Sequence, residues 1–397
     1  MEFQLSPEDE AFRQELRQFL REEVPPEKTG GMSSMTDGDE NGGDAFAMAM
    51  RKKLAQRGWL TMGWPKEYGG QDASPMRQTI FMEEMAYWDA PGMDLMGVGI
   101  VGPTIMRVGS DAQKRQHLHA IAKGEVIWSQ GFSEPGAGSD LAGLQTRADL
   151  KGDVFVVNGQ KIWSSGAHRA DYMYLMARTD QDVPKHKGIS ALLVDLKSTK
   201  QGLEIRPIIN MAGMKGFNEV FFDNMEVPRE NLLGELNQGW YYSMGLLESE
   251  RTAFINFSAI GRSVIEGLTR LVNDPDARGI ASGKRPETRA KLADATIENK
   301  VARNLALTVT WMTGKGIRPT YQASVAKVFG TEAFKRLAWS AMSIVGLYGQ
   351  VERQKQYAPL MGRVNSIYYT SVGMTIAGGA SEIQRNVIAT RGLGLPR

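Results

Sequence analysis

Between about Val126 and Leu233 the chain changes its hydrophobic period, and that change limits the fold more than any other feature. Short apolar runs replace helical stripes: Val154–Val157, Lys161–Trp163, Tyr172–Ala177, Ile189–Asp195, Leu203–Ile208 and Glu219–Phe222. Runs of this length, rich in branched and aromatic residues, read as strands. Asn158-Gly159, between the first two, reads as a hairpin turn, because both residues tolerate positive φ. Two Pro-containing turns and Gly234 close the block.

Helical patterns lie on both sides. Ser6 is placed to cap a first helix, with Pro7 at its first position and Phe12, Leu16, Phe19 and Leu20 on one face. Helices are expected over Ala45–Arg57, Met76–Trp88 and Asp111–Lys123, with a Gly-, Ser- and Asp-rich loop over Thr29–Gly43. Past Gly239, apolar stripes at i, i+3 and i+4 run through Trp240–Asn273, Pro286–Thr313, Tyr321–Val345 and Arg363–Ala377. Four such segments in succession suggest an antiparallel bundle. The expected class is α+β, mostly α. A helical domain over residues 1–125 precedes a β domain over 126–234, built as a small barrel or orthogonal sheets. A four-helix bundle domain over 235–397 follows.

Composition excludes several kinds of function. A formal charge of +2 in 397 residues offers no field for a nucleic acid. With no cysteine there is no disulfide framework and no thiol chemistry. His117, His119, His168 and His186 show no metal-ligand spacing, so no metal is expected. The first residues lack the features of a signal peptide, and no apolar run reaches spanning length, so a cytoplasmic protein with no membrane partner is expected.

Two segments carry chemistry. Phe132-Ser133-Glu134-Pro135-Gly136-Ala137-Gly138-Ser139-Asp140 offers small residues, hydroxyls and free backbone N–H groups. Lys161-Ile162-Trp163-Ser164-Ser165-Gly166 sets an indole beside two hydroxyls. Together they suit a flat, polar heterocycle carrying phosphate, through stacking and hydrogen bonds. Taken singly, Trp163 also reads as a core aromatic and Ser139 as a turn serine.

The pair resembles the flavin-binding segments of the acyl-CoA dehydrogenase family, and the resemblance runs from Leu5 to Pro396. It implies the fold above, FAD as cofactor, an acyl-CoA thioester substrate and electron-transfer flavoprotein as acceptor. Phe132 and Ser133 match contacts to the flavin's pyrimidine side, through backbone and side chain. Trp163 matches the indole packed on the isoalloxazine, and Ser164 and Ser165 belong to the same platform. Ser139 matches a serine on the CoA arm.

The reaction needs a carboxylate to take the Cα proton. Many members carry it near the C-terminus, where this chain has Gly378, and glycine cannot take a proton. Glu382, four residues further on, falls among the flavin contacts instead. A minority of the family keeps the base in a Leu-Asp-Leu-Glu-Arg pattern, which Leu247-Glu248-Ser249-Glu250-Arg251 resembles. Glu250 is then the candidate base, with Glu248 near the pantetheine and Arg251 near the CoA. A solvated helix carboxylate is the plain alternative for Glu250.

Further departures concern assembly. Ala380 stands where a flavin-bonding threonine is usual. The Arg-x-x-Phe-Gly segment is not recognisable in residues 278–286. The Gln-x-x-Gly-Gly motif reads Ser343-Ile344-Val345-Gly346-Leu347 and keeps only Gly346 as a flavin contact. A tetramer is implied, homomeric or α2β2 as in relatives acting on sterol side chains. Glycines at Gly378-Gly379 suggest a roomy pocket for branched, cyclic or steroid-type acyl chains. Two other readings keep the fold: a partner subunit supplying half a flavin site, and a flavin-dependent monooxygenase or oxidase.

Overall fold

The computed structural model describes residues 4–25, 43–247, 254–277, 280–281, 283–352 and 357–396. The loop expected over Thr29–Gly43 lies almost wholly outside them. The chain forms two compact units, each gathered from separated stretches. One comprises Met1–Ser34, Ala73–Pro91 and Glu250–Arg397; the other comprises Met35–Asp72 and Gly92–Ser249.

The first unit is helical. It contains α1 (Pro7–Glu23), α3 (Pro75–Tyr87), α7 (Ile255–Asn273), α8 (Pro286–Gly314), α9 (Tyr321–Val345), α10 (Arg363–Met374) and α11 (Ser381–Val387). Ser6 caps α1 as expected, accepting from Asp9 N at 3.1 Å, and Phe12, Leu16, Phe19 and Leu20 are buried. On α3, Glu83 and Glu84 are adjacent and both buried. Glu84 receives a two-pronged bond from Arg17 at 2.9 and 2.7 Å, while Glu83 receives Arg303. Charge thus ties α1 and α8 to α3, where propensity alone would not specify a partner.

The second unit holds α2 (Gly43–Gln56), α4 (Gly102–Val108), α5 (Asp111–Ala122), α6 (Gly239–Leu247) and one seven-stranded sheet. Its strands are β1 (Trp128–Gly131), β2 (Arg147–Lys151), β3 (Val154–Lys161), β4 (Tyr172–Arg178), β5 (Ile189–Asp195), β6 (Leu203–Ile208) and β7 (Phe217–Pro228). The order is β1-β4-β2-β3-β7-β6, with β5 also paired to β4. The β1–β4 pairing is parallel, whereas β4–β5, β2–β3, β3–β7 and β6–β7 are antiparallel.

Strand β4 shows why the region reads as unbroken apolar runs. Tyr174 and Met176 enter one core with Trp128, Phe132 and Leu193. Met173, Leu175 and Ala177 enter another with Phe155, Val157 and Phe222. A strand covered on both faces has no polar parity to display.

Asn158-Gly159 is not a turn. Both residues lie inside β3, at a register shift against β7. The hairpin bends instead between β2 and β3, where Gly152 has φ +61°. Gly159 answers a different demand: a Cβ there would stand 2.6 Å from Thr146 Oγ1. The glycine marks a close approach of neighbouring chain, which a dipeptide alone does not distinguish from a turn. The helix expected over Trp240–Asn273 is described as α6 and α7, since residues 248–253 are outside the described set. Among the described residues no helix is long and apolar enough to cross a membrane.

His117 on α5 is buried, its ring edge-on to Trp128 and Tyr172 at 5.2 and 5.0 Å. Burial pulls its pKa down to about 4, against the opposing attraction of Asp195. The unfolded chain therefore binds a proton that the folded chain refuses between about pH 6.5 and pH 4, so stability falls as pH drops through that window. The loss expected is about 3 kcal/mol. Thermal melts from pH 7 to pH 4 should show it, and His117→Phe should flatten the slope. Parallel slopes in the two proteins would contradict it.

Candidate active site

Strand β3 ends at Lys161, and the chain turns abruptly. Trp163 adopts φ +61°, a left-handed backbone rare for an aromatic residue, and leaves its side chain 55% exposed. Such a conformation costs about 1–3 kcal/mol and persists only where neighbours enforce it. Here Ile162 N donates to Ser133 O at 2.9 Å before it. After it, Ser164 N donates to Asn218 O at 3.1 Å, and Asn218 Nδ2 donates back to Ser164 O at 2.8 Å. Gly166 N donates to Gly216 O, and Ser129 Oγ to Ser165 O. Phe217 meets the indole edge at 5.9 Å. Every segment around Trp163 is tied down while its ring stays open to solvent.

The structure therefore brings Ser133, Trp163 and Ser165 together in one unit. Among the described residues, the N–H groups of Ser133 and Ser165 reach no backbone carbonyl, and both residues are only partly buried. Ser164 is buried and its Oγ has no partner. Phe132 differs: its ring packs into the core against Tyr174 at 5.5 Å, and its carbonyl accepts from Lys161.

The following loop is a tight turn, with Glu134 and Ala137 exchanging backbone bonds at 3.0 Å. Gly136 and Gly138 are exposed, and a Cβ on either would meet nothing within 4 Å. Neither has a positive φ. The fold itself does not require glycine at these two positions, and what remains is accessible backbone. Ser139 is exposed beside them.

Sequence reasoning missed Lys161 and Glu134. Lys161 is fully buried at the end of β3, its Nζ 2.8 Å from Glu134 Oε1 and 3.0 Å from Phe132 O. Burial lowers the Lys161 pKa to about 8, although Glu134 holds it up. For Glu134, burial acts to raise the pKa, but Lys161 and bonds from Thr146 and Gln145 outweigh it and leave it lowered. A signal existed: Lys161 shares its parity with buried Phe155 and Val157.

In the helical unit, Gly378 has φ +64°, is exposed, and a Cβ there would meet nothing within 4 Å. Lys327 and Ser381 both donate to Thr375 O at 2.9 Å, and Gln384 donates to Gly378 O at 3.3 Å. The loop is thus held from both ends. Glu382 is exposed in the first turn of α11, and Gly346 caps α9 with φ +60°. Glu248, Glu250 and Arg251 lie outside the described residues. A cleft of about 530 Å³ opens beside His117, lined by Gln116, Tyr172, Asp195 and Lys200 among others, and among the described residues no candidate site residue lines it.

Three family models match in succession. They are the acyl-CoA dehydrogenase N-terminal domain over residues 6–125, the middle domain over 129–225 and the C-terminal domain over 237–393. Acyl-CoA dehydrogenase FadE26 of Mycobacterium tuberculosis (strain ATCC 25618 / H37Rv) is 36% identical, over 100% of this chain and 99% of that protein. The chain belongs to the acyl-CoA dehydrogenase family. Among solved structures, the Tcur3481-Tcur3483 steroid ACAD superposes with a TM-score of 0.90 at 32% identity, covering 100% of both chains. The ChsE4-ChsE5 complex from Mycobacterium tuberculosis gives a TM-score of 0.88 at 34% identity, again over 100% of both.

This acyl-CoA dehydrogenase is therefore an oxidoreductase of the flavoprotein class, helical in its N- and C-terminal regions and with a sheet in the middle of the sequence. The residues present fit a flavin. Trp163 is an exposed flat surface held at a conformational cost, Ser133 and Ser165 offer uncommitted N–H groups, and Gly136 and Gly138 leave backbone open.

Proposed function

We propose that this chain is an FAD-dependent dehydrogenase that desaturates a bulky acyl-CoA thioester to its trans-2-enoyl product. The exposed, left-handed Trp163 carries the flavin part of the reading, because the hydrogen bonds on either side fix its backbone while its ring stays largely open to solvent. Bound FAD supplies the acceptor for the hydride from the substrate's β-carbon. The protein's part is positional and acid–base. Trp163 presents a stacking face, Ser133 and Ser165 direct hydrogen bonds, Ser164 and Phe132 set the backbone, and Ser139 meets the CoA arm. Glu250 takes the Cα proton, with Glu248 and Arg251 on the pantetheine and CoA. Gly346 and Glu382 complete the flavin contacts.

The acyl group is branched, cyclic or steroid-bearing. The support is the open space at Gly378, where the family's usual base would stand, and the structural likeness to a steroid ACAD. Electrons leave to an electron-transfer flavoprotein. The assembly is a tetramer, and the α2β2 form is favoured by the altered motifs at residues 278–286 and 343–347 and by likeness to the two-chain ChsE4-ChsE5 complex.

A panel of acyl-CoA esters tests the substrate. Bulky esters should reduce the flavin faster than straight medium-length chains, and the reverse preference would overturn the roomy pocket. Expression alone tests the assembly. A stable flavin-loaded homotetramer would remove the α2β2 form, and flavin uptake only with a co-expressed partner would support it.

A further inference from the structure

A buried ion pair lies directly beneath the strained segment. Lys161 Nζ donates to Phe132 O at 3.0 Å and to Glu134 Oε1 at 2.8 Å, so it holds the residues on both sides of Ser133. Ser133 O itself accepts from Ile162 N, the next residue after Lys161. Three consecutive residues, 132 to 134, are therefore bonded to two consecutive residues, 161 and 162, which lead directly into Trp163. Glu134 extends the set: its Oε1 accepts from Thr146 N at 2.8 Å and its Oε2 from Gln145 N at 2.6 Å. One carboxylate thereby ties the turn at 134–137 to the entry of β2.

An apolar pair of similar volume would serve stability at least as well in such a place, because both charges must be stripped of water. What an ion pair adds is direction. An ammonium and a carboxylate accept few geometries, whereas methylenes accept many. The location matters equally. Ser133 and Trp163 lie 30 positions apart in sequence and must present one surface.

We propose that Lys161 and Glu134 are positioning residues, forming a clamp that fixes Ser133 relative to Trp163 and so preorganises the flavin face before cofactor arrives. The proposal rests on the flavin reading of this surface. Neither side chain touches the cofactor. Both are buried and act through the backbone of residues 132–134 and 161–163.

The test pairs the parent with Lys161→Met/Glu134→Gln, since removing one partner alone would strand a buried charge. Three quantities are read: the thermal midpoint of the apoprotein, the FAD dissociation constant from flavin fluorescence, and the visible circular dichroism of bound flavin. A folded double variant should bind FAD at least tenfold more weakly and show an altered flavin dichroic band. FAD affinity within twofold of the parent, with an unchanged band, would overturn the clamp. Hydrogen exchange on the parent apoprotein keeps the question decidable if the variant does not fold. The Ile162 amide should exchange as slowly as the interior of β3, and exchange at the rate of an open loop would overturn preorganisation. A parent protein that binds no flavin would defeat the functional reading instead, and the exchange result would still decide the clamp.

Discussion

Glu250→Gln should lower the rate of flavin reduction by about 10²–10⁴-fold while the protein stays flavin-loaded. The Cα proton of a thioester is weakly acidic, and its removal requires a carboxylate within hydrogen-bond reach. By the family resemblance, the position expected to supply one holds Gly378, which carries no titratable group. Glutamine keeps the size and polarity of the side chain and loses the ability to take a proton. The flavin spectrum and the binding of acyl-CoA should therefore change little. Anaerobic single-turnover bleaching separates the two effects. A rate within threefold of the parent would show that Glu250 is not the base.

Glu83→Ala should destabilise the helical unit by about 3–5 kcal/mol, the range for breaking a buried ion pair on one side. Glu83 is 3% exposed. Its Oε2 accepts from Arg303 Nη2 at 3.0 Å, and Arg262 approaches its Oε1 at 3.9 Å. Burial alone would raise the Glu83 pKa, but Arg303 and Arg262 prevail and leave it lowered. A depressed carboxylate pKa adds stability above its unfolded value, and that stability is lost as pH falls toward the folded value. The variant should accordingly lose part of the parent's acid sensitivity as well as its stability at neutral pH. Urea denaturation at pH 7 and at pH 4 measures both. A midpoint at pH 7 unchanged from the parent would show that the arginines find other partners at no cost. Glu83→Leu/Arg303→Met, which removes both charges, should recover most of the loss.

Local signals carried most of the architecture. Ser6 with Pro7 announces α1, and the short apolar runs announce β3, β4, β5, β6 and β7, because capping and strand propensity are properties of adjacent residues. Non-local demands were hidden. Gly159 reads as a turn until Thr146, paired in space and 13 positions away, shows why no Cβ fits. The gathering of α1 and α8 onto α3 includes ion pairs spanning 67 and 220 positions, which no window of sequence contains.

The site divides in the same way. Trp163 and Ser165 stand out as candidates because the motif is contiguous and its residue types are chemically distinctive. For Phe132 the sequence does not show where the ring goes, since only the packed core shows that it meets Tyr174. Lys161 could have been suspected from its inward parity on β3. Glu134, 27 positions away, could not have been named as its partner without the fold.

On the proposed function, the surface around Trp163 holds a flavin that an acyl-CoA thioester reduces. The most direct measurement is an anaerobic titration of the FAD-loaded protein with acyl-CoA esters, followed by visible absorbance. A branched, cyclic or steroid-bearing ester should bleach the bound flavin, and Trp163→Ala should weaken both flavin retention and bleaching. Flavin that stays fully oxidised with every ester, in a protein that retains it, would contradict the account.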